Sequence, residues 1–160
     1  MTTRSGIGID VHPLVESRPL VLGGVTIPYE RGLAGHSDGD GLIHSVIDAM
    51  LGAAALGDIG THYPPGEEKY KGIESSELLA DTLSLLRRNR WRVTFVDATI
   101  LAERPILKPH MSSIRQSLAA ALQLNIDSVN VKATTTDGLG FIGRGEGIGT
   151  LAIATIERIA

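Results

Sequence analysis

The chain has 160 residues, of which 42% are hydrophobic and 21% are charged, and its formal net charge is −3. This length suits one domain with a substantial core, and we expect residues 1–160 to form a single domain. The negative net charge and the lack of a Lys/Arg block argue against a nucleic-acid-binding protein. The sequence has no cysteine, so any transition-metal site would have to use histidines and carboxylates.

Two further classes are disfavoured. No apolar run approaches the length of a membrane span, and the N-terminus lacks the charged-then-apolar pattern of a signal peptide. We therefore expect no membrane association and a cytoplasmic location. A plastid protein whose transit peptide had been removed would show the same pattern.

The first predicted elements are a strand, a broken strand pair and a helix. Residues 5–12 alternate small or polar side chains with apolar ones, which is typical of a strand. Residues 20–28 predict two short strand segments separated by a pair of glycines. Apolar residues at a 3.6-residue period predict a helix over 41–56, with Asp38 or Asp40 capping its start.

The second half of the chain begins with a long predicted loop over 57–72, which contains Pro-Pro-Gly. Loops of this length are often functional. Helical and strand periodicities then alternate to the end of the chain. In order they predict a helix over 75–89, a strand over 92–101, a helix over 109–124 capped by Asn125, and strands over 128–135 and 150–159.

These elements predict an α+β fold. We expect a two-layer sandwich in which a mixed sheet of four or five strands carries about three helices on one face. The last strand has consecutive apolar residues, Leu151-Ala152-Ile153-Ala154, as in strands covered on both faces. Because the predicted helices cover only one face, another subunit should cover the other face, and we expect an oligomer.

Asp10-Val11-His12, near the end of the first predicted strand, offers two metal ligands. Residues i and i+2 of a strand share a face, so Asp10 and His12 would lie side by side with Val11 turned into the core. His44 on the following helix offers a third ligand, and Asp48, one turn later, would orient a histidine. Two imidazoles, one carboxylate and an open position suit catalytic zinc. A surface ion pair and a polar helix face are the simpler alternatives.

Two later motifs suit anions. The segment Gly138-Leu139-Gly140-Phe141-Ile142-Gly143 matches the dinucleotide pattern, but the glycines that follow argue against the helix which that pattern requires. The loop instead favours backbone amides approaching an anion, with Arg144 adding charge, or a tight interface loop. Thr134-Thr135-Thr136-Asp137 offers hydroxyls for phosphate and a carboxylate for magnesium, although threonine runs are also ordinary β-structure. Asp38-Gly39-Asp40 lacks the spacing of a calcium loop.

Taken together, these motifs give a sequence that resembles the 2-C-methyl-D-erythritol 2,4-cyclodiphosphate synthases. The matching segments follow the family's order through nearly the whole chain. They are residues 8–12, 23–28, 34–44, 48–49, 51–60, 129–136, 139–141 and 143–147.

The resemblance implies a homotrimer with active sites between neighbouring subunits. The implied substrate is a cytidine nucleotide, 4-diphosphocytidyl-2-C-methyl-D-erythritol 2-phosphate, which is converted into 2-C-methyl-D-erythritol 2,4-cyclodiphosphate and CMP. It also implies that Asp10, His12 and His44 hold Zn²⁺ or another divalent cation at the substrate. Asp137 takes the position of a ligand to Mg²⁺ or Mn²⁺ that bridges the substrate diphosphate.

The resemblance assigns the other site residues as well. His36 and Thr135 take the transition-state-stabilising positions, and Ser37 assists at the phosphates. The remaining substrate-binding positions are Asp58, Ile59 and Gly60 at the methylerythritol hydroxyls; Tyr63, Pro64, Pro65, Gly66 and Glu67 in the next loop; Ala102, Glu103, Arg104, Pro105, Ile106, Leu107 and Lys108 with Ala133, Thr134 and Thr135 at the cytidine; and Thr136, Asp137, Phe141 and Arg144 around the glycine loop.

Three positions depart from the family pattern. Asp137 stands where glutamate is usual, and the loop from Tyr63 to Glu68 replaces an aromatic-Pro-Asp-x-Asp segment. Ile106 replaces a lysine, with Lys108 two residues later.

Two other functions fit parts of the pattern. One is a zinc-dependent phosphohydrolase that uses a metal-bound hydroxide. The other is a non-catalytic trimeric protein that binds a nucleotide or an isoprenoid phosphate. Neither function requires all of the matched segments at once.

Overall fold

The computed structural model describes residues 2–160. Its strands are β1 (Thr3–Glu16), β2 (Leu20–Leu22), β3 (Val25–Ile27), β4 (Arg31–Leu33), β5 (Trp91–Leu101), β6 (Val129–Thr134) and β7 (Gly147–Arg158). Its α-helices are α1 (Gly41–Ala54), α2 (Ile59–His62), α3 (Ser75–Arg88), α4 (Met111–Leu122) and α5 (Gly140–Gly143). Three short 3₁₀ turns lie at Glu68–Tyr70, Lys108–His110 and Ile126–Ser128.

Five strands form one mixed sheet in the order β4-β1-β7-β5-β6, and β2 pairs with β3 as a separate hairpin. The β1, β7 and β5 pairings are antiparallel, whereas β5 and β6 run parallel. The predicted α+β class and mixed five-stranded sheet are therefore confirmed. Within residues 2–160, none of the helices combines the length and apolar character that crossing a membrane requires.

Strand β1 continues beyond the segment predicted from alternation. It pairs with β7 from Thr3 to Pro13 and then with β4 through Glu16. Asp10 and His12 consequently lie inside a 14-residue strand rather than near its end. Pairing with β7 along this stretch, and with β4 directly after it, fixes their positions more firmly than a strand end would.

The long helices α1, α3 and α4 bury their apolar side chains in one core against the sheet. Helix α1 lies very close to β1, because glycines in β1 leave room for the helix backbone. A Cβ atom at Gly8 would lie 1.9 Å from the carbonyl oxygen of Ser45, and one at Gly6 would lie 2.3 Å from that of Ala49. This close approach brings His44 over Asp10 and His12.

The opposite face of the sheet is apolar and exposed in the single chain. Ile7 is 62% exposed, Ile9 58%, Val11 48% and Ile153 47%. The expectation that Val11 points into the core is therefore wrong: Asp10 and His12 occupy the face toward α1, so alternation turns Val11 outward. An uncovered apolar face of this kind agrees with the expectation that a second subunit covers it.

Local elements also differ from the sequence-based prediction. The loop predicted over 57–72 contains α2, whose start is capped by the Asp58 carboxylate through the backbone N–H of Thr61 at 2.8 Å. Helix α4 ends at Leu122 and is capped by Gln123, whose φ of 58° is left-handed, two residues before the predicted cap at Asn125. Strand β7 begins at Gly147, because pairing with Pro13 extends it into the glycine-rich segment.

Asp40 caps α1, as the sequence predicts, but it also holds the β2–β3 hairpin. Its carboxylate accepts hydrogen bonds from the backbone N–H groups of Ile43 (3.1 Å), Gly23 (2.9 Å) and Gly24 (2.6 Å). Burial raises the pKa of Asp40 to about 6, against the opposing effect of these three donors. This one side chain fixes the hairpin to the start of the helix that carries His44.

Candidate active site

The predicted metal ligands converge. The Nε2 atom of His12 lies 2.7 Å from Oδ2 of Asp10, and Nδ1 of His44 lies 3.2 Å from the same oxygen. The two imidazole nitrogens are 3.2 Å apart. Strand alternation places Asp10 and His12 on one face, and the first turns of α1 bring His44 over them.

This donor set fits a divalent cation. Zinc bound tetrahedrally with ligand distances of about 2.0–2.2 Å would hold its ligand atoms roughly 3.3–3.5 Å apart. The three observed separations, from 2.7 to 3.2 Å, are close to that value. Asp10, His12 and His44 can therefore hold a divalent metal ion with small adjustments.

The charges at the centre favour an ionised carboxylate. Burial tends to raise the pKa of Asp10, but hydrogen bonds and charge from His12 and His44 outweigh it and hold the pKa well below its usual range. Burial likewise tends to lower the pKa of His12, yet the adjacent Asp10 raises it above the ordinary value. Asp10 and His12 thus each shift the pKa of the other in the direction that favours its charged form.

Both histidine rings have fixed orientations. The Nδ1 atom of His12 lies 2.5 Å from the carbonyl oxygen of Ala34, which leaves Nε2 free to face the metal position. The Nε2 atom of His44 lies 2.8 Å from Oγ of Ser75 and 3.1 Å from Oγ of Ser37. In each histidine, the ring nitrogen that faces away from the metal position therefore has a hydrogen-bond partner.

The prediction that Asp48 orients a histidine is wrong. Its Oδ1 atom instead accepts a hydrogen bond from the backbone N–H of Ile59 at 2.7 Å, which fixes the start of α2. Asp48 therefore contributes to the site indirectly, by placing the 58–60 segment beside the metal ligands.

A cavity of about 240 Å³ opens beside the three ligands. It brings together predicted residues from four segments of the chain. Its lining consists of Asp10, His12, His36, Ser37, His44, Ile59, Gly60, Tyr63 and Pro65, with Tyr70, Ile73 and Leu78. We call this space the metal cavity.

The predicted cytidine-binding residues line a different space, which we call the edge cavity. It has a volume of about 360 Å³ and lies beside β6 at the edge of the sheet. Its lining consists of Ala102, Glu103, Pro105, Ile106, Leu107, Lys108, Ala133, Thr134 and Thr135, with Met111.

The two cavities of one chain lie apart. Asp10 pairs with Thr150, Thr150 with Ile100, and Ile100 with Ala133, so Asp10 and Ala133 are three strands apart. At about 4.8 Å per strand this separation is roughly 14 Å. The cavities share no lining residue. His36 and Thr135, the two predicted catalytic residues, consequently belong to different cavities in a single chain.

Other predicted residues lie outside these linings. Asp137 has a left-handed φ of 53°, is exposed, and lies 3.4 Å from the hydroxyl of Thr135. Arg144 is exposed and pairs with Glu146 at 2.7 Å. Of the remaining predicted contacts, Phe141 lies in α5, and the others lie in loops: Asp58, Pro64, Gly66, Glu67, Arg104 and Thr136.

Several residues in or beside the metal cavity were not predicted as site residues. Ser75, the first residue of α3, lies outside the cavity lining but is fully buried and contacts the His44 ring. Tyr70 comes from the segment predicted to be a loop, and Ile73 follows directly after that segment. Their positions depend on how that segment folds back over β1 and α1, and no local sequence pattern signals this.

Comparison with known proteins gives the same family as the resemblance seen in the sequence. The YgbB family model matches residues 3–157. A 2-C-methyl-D-erythritol 2,4-cyclodiphosphate synthase from Alkaliphilus oremlandii is 55% identical over 96% of this chain and 98% of its own length. A bifunctional IspDF from Campylobacter jejuni superposes with a TM-score of 0.94 at 42% identity, over 99% of this chain and 43% of that protein. A 2C-methyl-D-erythritol-2,4-cyclodiphosphate synthase in its CDP-bound form gives a TM-score of 0.88 at 31% identity, covering 96% of this chain and all of that one.

An α+β sandwich with an Asp-His-His cluster between its sheet and first helix defines the class of this protein as one with a candidate metal site. The relatives narrow that class to enzymes named 2-C-methyl-D-erythritol 2,4-cyclodiphosphate synthase. The chain belongs to the YgbB family, that of the 2-C-methyl-D-erythritol 2,4-cyclodiphosphate synthases.

Proposed function

We propose that this chain is a single-domain cyclodiphosphate synthase acting on 4-diphosphocytidyl-2-C-methyl-D-erythritol 2-phosphate. An oxygen of the 2-phosphate attacks the β-phosphorus, and the bond from that phosphorus to the oxygen bridging to the α-phosphate breaks. The products are 2-C-methyl-D-erythritol 2,4-cyclodiphosphate and CMP. The observation that carries the proposal is the convergence of Asp10, His12 and His44 beside a cavity lined by His36 and Ser37.

The main obstacle to this reaction is electrostatic, because both the nucleophile and the electrophile are phosphates. We propose Zn²⁺ as the cation held by Asp10, His12 and His44. When bound, the cation would supply positive charge to a phosphate oxygen at its open position. The carboxylate of Asp10 favours cation binding, since its pKa is held low and it stays ionised at neutral pH.

The side chains around the cation would position the phosphates. The hydroxyl of Ser37 lies at the wall of the metal cavity and can donate to a phosphate oxygen. The ring of His36 is oriented by a 3.0 Å contact between its Nε2 atom and the carbonyl oxygen of Glu67. CMP is a good leaving group, so the reaction depends on alignment and electrostatics rather than on a strong general acid.

The separation of the two cavities supports a site shared between subunits. A single substrate carries both a cytidine and a diphosphate, but the edge cavity and the metal cavity of one chain are three strands apart. We propose a homotrimer in which the metal cavity of one subunit faces the edge cavity of its neighbour. Thr135 would then reach the diphosphate held beside His36 of the other subunit.

The uncovered sheet face provides the contact for such a trimer. An apolar surface that no helix within residues 2–160 covers is formed by Ile7, Ile9, Val11 and Ile153.

Asp137, exposed next to Thr135, would hold Mg²⁺ or Mn²⁺ at the diphosphate. The left-handed backbone at Asp137 is one that aspartate tolerates better than most residues.

The test is a His44→Ala variant assayed with the diphosphocytidyl substrate. We expect loss of bound zinc and loss of CMP release, because two ligands hold the cation much more weakly than three. His110→Ala is the matched control, since His110 lies at the start of α4 outside both cavity linings. Full activity in a zinc-free His44→Ala variant would refute the proposal.

Product analysis separates the alternatives. The synthase gives a cyclic diphosphate by ³¹P NMR and incorporates no oxygen from ¹⁸O-labelled water. A phosphohydrolase would give an open-chain product that contains the label. A binding protein would retain cytidine nucleotides without turning over the substrate.

A further inference from the structure

Ser75 and Asp38 form a buried chain of hydrogen bonds that ends on His44. The Oγ atom of Ser75 lies 2.8 Å from Nε2 of His44 and 2.5 Å from Oδ1 of Asp38. Ser75 is fully buried, and His44 is only 9% exposed. These hydrogen bonds lie on the Nε2 side of the imidazole, away from Asp10 and His12, which face Nδ1.

The role of Nδ1 determines which atoms donate protons in these hydrogen bonds. If Nδ1 of His44 offers its lone pair to a cation, the ring proton lies on Nε2 and is donated to Oγ of Ser75. The Ser75 hydroxyl then donates its own proton to the Asp38 carboxylate. Asp38 also accepts a hydrogen bond from the backbone N–H of Ser75 at 3.0 Å, so it holds both the side chain and the backbone of that residue.

Ser37 has a different place beside the same ring. Its Oγ atom is 3.1 Å from Nε2 of His44 and accepts a 3.3 Å hydrogen bond from the N–H of Gly39. Ser37 also lines the metal cavity, whereas Ser75 does not appear in its wall. The geometry therefore separates a serine that can reach substrate from a serine that holds the histidine.

Asp38 and Ser75 also join two segments that enclose the metal cavity. Helix α3 has no side-chain cap from Glu74, and Asp38 binds its first residue instead. Two backbone hydrogen bonds join the same segments. The N–H of Asp38 donates to the carbonyl oxygen of Ile73 at 3.0 Å, and the N–H of Gly72 donates to the carbonyl oxygen of His36 at 2.8 Å. The chain of hydrogen bonds thus fixes the 72–75 segment and the His44 ring together.

We propose that Asp38 and Ser75 are positioning residues for the metal centre. They hold His44 in the tautomer and rotation that direct Nδ1 toward Asp10 and His12, and the Asp38 carboxylate makes the imidazole a better ligand by polarising its N–H bond. Outer partners of this kind change metal affinity by about 10–100-fold when they are removed. The inference rests on the proposed metal site.

The test compares Ser75→Ala with Ser76→Ala in the full chain, with zinc affinity measured by competition with a chromophoric chelator. Ser76 is the matched control, because it is adjacent and its hydroxyl contacts only the exposed Glu74, at 3.4 Å. We expect the zinc dissociation constant to rise about 10–100-fold for Ser75→Ala and to stay within about twofold for Ser76→Ala. Equal zinc affinity in wild type and in a folded Ser75→Ala variant overturns the inference.

A second measurement uses the wild-type protein, so it does not depend on how Ser75→Ala folds. In ¹⁵N and NOE spectra of the zinc-loaded chain, His44 should show a slowly exchanging Nε2 proton close to the Ser75 β-protons. A His44 ring whose Nε2 proton exchanges freely, or is distant from Ser75, overturns the inference. If the wild-type chain binds no zinc through His44, the proposed metal site itself is refuted. That outcome differs from equal zinc affinities of wild type and Ser75→Ala, which refute only the role of Ser75.

Discussion

The close approach of α1 to β1 makes Gly8 a sensitive position. Replacing Gly8 with alanine would place a Cβ atom 1.9 Å from the carbonyl oxygen of Ser45 and 2.7 Å from the backbone nitrogen of Ala49. Both neighbouring atoms belong to helix backbone, so no side chain can rotate away. The whole of α1 would have to move, together with His44.

The size of the effect follows from the required displacement. Ordinary contacts begin at 3.4 Å, so the helix must retreat by about 1.5 Å. A gap of 0.5–1 Å already loses a quarter to a half of the dispersion energy at a contact, and twelve of the 14 residues of α1 are buried. Overpacking usually costs about 1–3 kcal/mol, and we expect Gly8→Ala to cost at least about 3 kcal/mol. That corresponds to a fall in Tm of roughly 6–12 °C for a domain of this size.

The assay is thermal and urea unfolding with excess chelator, which removes the contribution of bound metal, at a fixed protein concentration. Gly52→Ala is the control, because its Cβ would meet only the Ile7 carbonyl oxygen at 4.0 Å and alanine favours the helix. We expect Gly52→Ala to be neutral or slightly stabilising. A Gly8→Ala variant within about 1 kcal/mol of wild type would show that α1 is not held this tightly against β1.

Three further predictions concern the sheet face, a buried carboxylate and the loop after β6. Ile153→Glu should reduce the mass measured by light scattering to that of one chain, because a buried charge opposes association, while Ile126→Glu outside that face should not. Since burial raises the Asp40 pKa from 3.8 to about 6, its contribution to stability is present below pH 4 and is lost as pH rises through 6. The wild-type unfolding free energy should therefore fall between pH 4 and pH 7 by up to about 3 kcal/mol more than that of Asp40→Asn, and equal slopes would contradict this. Asp137→Asn should raise the Mg²⁺ concentration needed for half-maximal CMP release by about tenfold, whereas Asp137→Glu should not, and unchanged Mg²⁺ dependence in both would exclude Asp137 as a ligand.

The sequence alone determined the elements that repeat with a local period. Alternation along β1 placed Asp10 and His12 on one face, and the 3.6-residue period of α1 identified the helix that carries His44. Counting helices against strands predicted an uncovered sheet face. The two periodic patterns predicted these elements because each depends only on neighbours within a few positions along the chain.

Other features depend on contacts between distant segments, and only the tertiary structure decided them. Ser75 contacts His44 across 31 positions of sequence, and Asp38 contacts Ser75 across 37, so no local pattern marks either residue as a neighbour of the candidate metal site. Asp48 lies one helical turn after His44, which is the spacing of a partner for it. Its carboxylate instead accepts a hydrogen bond from the first residue of α2. Backbone pairing likewise decided that Val11 faces outward. Hydrogen-bond partners are chosen by the packing of whole segments, which a single sequence does not display.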